Sequence, residues 1–203
     1  MNVLFYDDDE GNIENMAGVA KCILIEDKPI SLKYKTKETY HKNFINNTYS
    51  LYYPNCEESH PTNGFTVNHA THLLEWIKHN QGIIIFDWDK TITCCDGFMI
   101  QDVPFTYYSI GVKISHVMEY LCGGETRLAM LRYIFQQIRK KNEIFILTNN
   151  PACVKNKSEF LKLVRCIDPL FKAKCLVYGN MDKKTAILKS YFSKISKIAS
   201  LAN

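Results

Sequence analysis

The chain has 203 residues, 46% apolar, 23% charged and 12% aromatic, with only 9 Gly and 6 Pro, enough for one α/β-sized domain with an insertion. This composition excludes a disordered, collagen-like or low-complexity chain, and no apolar stretch approaches the ~18 residues of a membrane span. The net charge of +4 hides an asymmetry: residues 1–27 hold seven acids against Lys21, and residues 155–203 hold eleven Lys/Arg against three acids. A solvated surface accounts for such a distribution, as does an anionic or phosphate-bearing partner.

Val3–Tyr6 is a short apolar run ending in acids, the pattern of a buried strand with a charged carboxyl end. After the Gly11-Asn12 turn, Ile13, Met16, Ala17 and Ala20 recur at helical spacing, and Cys22–Ile25 is a second apolar run. That makes a β-α-β unit with parallel strands. Residues 28–67 read as an insertion: Ile30, Leu32 and Tyr34 alternate with polar residues as in an amphipathic strand, and a Tyr-rich polar stretch with Pro54, Pro61 and Gly64 follows. From Asn68 a helix is expected through Ala70, Leu73, Leu74 and Ile77, closing near Gly82. Ile83–Phe86 is too apolar to face water on either side and should be central in a parallel sheet. His116 lies on a helix-like stretch, while the rest of 97–123 reads as loop and hairpin. A helix is expected over Glu125–Lys140, a strand over Ile144–Leu147, a helix near 154–166, a strand over Ala173–Tyr178 and a helix over Lys183–Ile195. Five strands alternating with helices make the fold class α/β, a doubly wound and mostly parallel five-stranded sheet in one domain spanning 1–203.

In such sheets ligands sit at the carboxyl ends of the strands. Asp7-Asp8 ends the first strand, Asp87-Trp88-Asp89-Lys90-Thr91 the third, and Thr148-Asn149-Asn150 the fourth, while Asp182-Lys183-Lys184 opens the last helix. Gathering several carboxylates is costly unless a cation joins them, and Mg²⁺, which takes few carboxylates and works on phosphates, is the expected one. Its expected ligands are Asp7, Asp8, Asp87 and Asp89. Asp87 suits a nucleophile on phosphorus, Asp89 a general acid and base, Thr148 a donor to a phosphoryl oxygen, and Lys183 or Lys184 a neutraliser of developing charge. Trp88 is expected to pack, and Asp96 and Asp102 to be surface acids near the site.

These segments resemble the haloacid dehalogenase-like (HAD) phosphohydrolases. Asp87-Trp88-Asp89-Lys90-Thr91 is similar to that superfamily's first motif, DxDxT; Phe145–Asn150 to the second; Lys183, or Lys184, before Thr185-Ala186-Ile187-Leu188 to the third; and Leu4–Ile13 to the fourth. The fourth motif normally comes last. Here it comes first, so the sequence looks like a circularly permuted member with a HAD-like Rossmannoid core. The resemblance implies an Mg²⁺-dependent phosphomonoesterase working through an aspartyl-phosphate, with Thr91, Asn149 and Lys184 contacting substrate. Thr91 and Thr148 have 56 residues between them, and Thr148 and Lys183 have 34, too few for a large cap. An open site is therefore expected, favouring a macromolecular phosphorylated substrate, a phosphoprotein or a nucleic-acid end.

Receiver domains of two-component systems use an acidic pair, a phospho-accepting Asp, a hydroxyl and a Lys in the same chain order. Here the gaps of 79, 61 and 35 residues are long for a receiver, and Asp89 would lack a role. A non-catalytic HAD-like scaffold is the third alternative. Eight cysteines and a start whose acids do not suit a signal peptide fit a reducing, cytoplasmic setting without a membrane partner. The Lys, Asn and Ile usage suits an AT-rich genome, such as a large DNA virus replicating in host cytoplasm. Cys56, His60, His69 and His72 match no metal-site spacing and are set aside. Nothing in the sequence fixes an oligomeric state.

Overall fold

The computed structural model describes residues 2–25, 64–94 and 113–178. Its elements in chain order are β1 (Asn2–Asp7), α1 (Glu10–Met16), β2 (Lys21–Leu24), α2 (Val67–His79), β3 (Gly82–Asp87), α3 (Ile114–Leu121), α4 (Glu125–Arg139), β4 (Glu143–Thr148), α5 (Pro151–Lys155), α6 (Lys157–Ile167) and β5 (Leu176–Tyr178). All five strands are parallel, in the order β2-β1-β3-β4-β5. The fold is thus α/β and Rossmann-like, with β3 in the middle as its unbroken apolar run requires: Ile83–Phe86 are all buried. Right-handed crossovers put α2, α4 and α6 on one face and α1 on the other, and α2 contacts α4, which in turn contacts α6.

An aromatic column joins the sheet to the helices. Tyr6 and Phe86, paired in register, stack at 5.2 Å; Phe86 stacks on Phe135 of α4 at 5.4 Å; and Phe65 meets both Tyr6 and Phe86 edge-on at 5.3 and 5.5 Å. Phe65 is fully buried, and Thr66 caps α2 through a capping box with His69. Gly64 and Phe65, at the end of the expected insertion, are therefore buried in the core, while Thr66 and the exposed Val67 start α2. The remainder of that segment lies outside the described residues, as do the helix expected at Lys183–Ile195 and residues 97–112 of the stretch expected as loop and hairpin, whose described end instead forms α3.

Other differences have local causes. Helix α1 begins earlier than its apolar spacing suggests because Asp9 caps it, and it ends at Met16, where Gly18 turns the chain at φ +84°. The helix expected near 154–166 is two helices broken at Asn156. The strand expected from Ala173 opens with one 3₁₀ turn, so β5 is three residues long.

Candidate functional site

In register with Phe86, Tyr6 faces the helices, so the next residue on each strand, Asp7 and Asp87, turns to the other side of the same edge. Both carboxylates are buried, and with half-buried Asp8 they place oxygens within 4.8 Å of one another. The acidic run is divided by role. Asp7 Oδ1 accepts from Asp9 N at 2.9 Å, and both its oxygens accept from Asn12 Nδ2 at 3.1 and 3.2 Å. Asp9 Oδ1 accepts from Asn12 N at 2.9 Å as the cap of α1. Asn12 thus serves both the helix start and the acid cluster.

Beyond Asp87 the chain makes a single wide turn, Trp88–Ile92, closed by Thr93 N donating to Trp88 O at 2.9 Å. Lys90 sits at φ 53°, in the left-handed region that L residues seldom adopt. Trp88 packs edge-on against Phe160 at 4.8 Å, as expected of a packing residue. Asp89 is half-buried. Thr91, expected to contact substrate, is fully buried and its Oγ1 has no hydrogen-bond partner, which sets it in the wall behind the turn.

Arg127 clasps that turn from below. Its guanidinium is 3% exposed and donates to the carbonyls of Phe65, Thr91, Ile92 and Cys122. Gly64, at φ +85°, lies against this clasp, where a Cβ would collide with Arg127 Nη2. Sequence reading passed over Arg127, although it sits at the buried helical spacing of Leu131, Ile134 and Ile138 on α4, an unusual place for a cation.

At the end of β4, Thr148 is fully buried and its Oγ1 accepts from Asn150 N at 3.0 Å. Asn150 Nδ2 donates to Asp89 Oδ1 at 3.1 Å, and Asn150 Oδ1 accepts from Ala152 N at 3.0 Å as the cap of α5. Asn149 is half-buried, with Oδ1 unpartnered. Cys153 lies under these groups: burial pushes its thiol well above the usual range, the Asp89 and Asp87 carboxylates push the same way, and the Thr148 hydroxyl pulls against them. Tyr178, in register with Thr148, has its phenol pushed up to about 12, mainly by burial.

The acids therefore occupy the crevice between β1 and β3, where the strand order reverses and doubly wound sheets bind ligands. Of the four expected metal ligands the structure gathers Asp7, Asp8 and Asp87. Asp89 is not in that group and turns toward Asn150. Lys183, Lys184, Asp96 and Asp102 lie outside the described residues. No described helix is long and apolar enough to cross a membrane. No family model, curated protein or solved structure matches the chain.

Proposed function

We propose that the protein is an Mg²⁺-dependent phosphomonoesterase of circularly permuted HAD-like type, acting on a macromolecular phosphate ester. The observation that carries this reading is the convergence of Asp7, Asp8 and Asp87 at the β1/β3 crevice. Three hard oxygen donors this close suit Mg²⁺, which would neutralise the carboxylates and polarise a bound phosphoryl group.

The chain's own residues divide the work. A carboxylate oxygen of Asp87 bonds to phosphorus as the ester P–O bond breaks, and Asp89 gives the departing oxygen its proton. Asp89 then takes a proton from water as that water attacks phosphorus, releasing phosphate and restoring Asp87. Thr148 and Lys183, or Lys184, serve the phosphoryl oxygens. Read from β1, or from β3 with residues 1–26 moved to the end, the sheet is doubly wound about the same β1/β3 boundary, so permutation leaves the site intact.

One observation favours a second reading. The order β2-β1-β3-β4-β5 is also the flavodoxin-like order that receiver domains share. Turnover of para-nitrophenyl phosphate that needs Mg²⁺ and is lost in Asp87→Asn is the expected result. Phosphate uptake from acetyl phosphate without turnover of esters would make the protein a receiver, and neither activity would make it a scaffold.

A further inference from the structure

We propose that Asn150 is a positioning residue for Asp89, one that holds the carboxylate in the plane from which it meets the leaving group. The inference rests on the phosphatase reading and adds a residue to its site. Asn150 is 9% exposed and uses both ends of its amide. Oδ1 is held by Ala152 N at 3.0 Å, so the group cannot flip without giving up the α5 cap, and Nδ2 is thereby directed at Asp89 Oδ1, 3.1 Å away and 61 residues distant in sequence. Its backbone N donates to Thr148 Oγ1 at 3.0 Å. One residue therefore ties two expected catalytic side chains, on β4 and on the turn after β3, into one frame.

Helix capping alone does not call for this residue type. Ser, Thr or Asp would accept from Ala152 N equally well. A Ser or Thr hydroxyl has one oxygen for both tasks, whereas the amide offers an acceptor to the helix and a donor to the carboxylate from two separate atoms. An Asp here would set two negative charges about 3 Å apart.

The test compares wild type, Asn150→Ser and Asn150→Asp on two esters, para-nitrophenyl phosphate and phenyl phosphate. Both variants keep an acceptor for the α5 cap and lose the amide Nδ2 that reaches Asp89; Ser retains only a hydroxyl on the capping oxygen, and ionised Asp has no donor. The poorer leaving group needs its proton more, and kcat/KM reports the steps through its departure. The expected result is a loss in kcat/KM about tenfold or more larger for phenyl phosphate than for para-nitrophenyl phosphate, deeper in Asn150→Asp, with the melting temperature of Asn150→Ser close to wild type and that of Asn150→Asp lowered by the new repulsion. Equal losses on both esters, or no loss on either, would overturn the inference while leaving the phosphatase reading standing. A wild type that hydrolyses neither ester overturns that reading and the inference with it.

Discussion

At the amino end of the sheet, Asn142 Oδ1 accepts from Gly82 N at 2.7 Å, and Arg139 at the end of α4 is hydrogen-bonded to buried Asp168. At the carboxyl end, three carboxylates share one crevice. Both ends bury polar groups, but the first pairs opposite charges and the second gathers like ones. Opposite charges joining the last turn of one helix to the loop after another fasten the fold and need no further account. Two ionised carboxylates at the 4.8 Å limit of this cluster would repel by about 3 kcal/mol at an effective dielectric near 20, so such a group calls for a cation, a shared proton or other compensating contacts. The difference is what supports placing the proposed chemistry at the carboxyl end.

The contrast breaks most sharply at Asp87. Asp87→Asn should reduce kcat on para-nitrophenyl phosphate by at least about a thousandfold. Retained turnover would remove Asp87 as nucleophile. Arg127→Met probes the same end from beneath. It removes the guanidinium from four carbonyls, of which Thr91 O keeps Phe65 N as a donor, and should cost about 3 to 5 kcal/mol in urea denaturation. A loss below about 1 kcal/mol would mean that water replaces the guanidinium.

How much of this was readable from sequence differs by element. β3 was, because four consecutive buried apolar residues leave a strand no exposed face. Asp7, Asp8 and Asp87 were too, since each follows such a run. The limits of α1 were not, as Ala17 and Ala20 continue its spacing past the glycine that ends it. Phe65 was hidden at the margin of a polar segment, although three aromatic contacts fix it in the core. Asn150 reads as an ordinary helix cap, since its second hydrogen bond depends on a partner in another part of the chain. Arg127 did leave a signal, a charge on an apolar helical stripe, but its four acceptors are carbonyls, which no sequence pattern names.

Two smaller effects sharpen the comparison. At the amino end, Arg139→Met leaves Asp168 buried without that partner and should cost about 1 to 2 kcal/mol, reduced because Arg139 is itself partly exposed, with kcat/KM unchanged. A loss of activity there would dissolve the division between the two ends. Mg²⁺ tests the carboxyl end without touching the core. A ligand present at ten times its dissociation constant and bound only to the folded state stabilises it by about 1.4 kcal/mol, or roughly 3 to 6 °C in melting temperature for a chain of this size. That rise should appear in wild type and in Arg139→Met and vanish in Asp8→Asn, which removes one of the three clustered charges. Asp8 is the most informative of the three because it is only half-buried, so its substitution disturbs packing least. An equal rise in Asp8→Asn would mean that Mg²⁺ acts elsewhere on the protein.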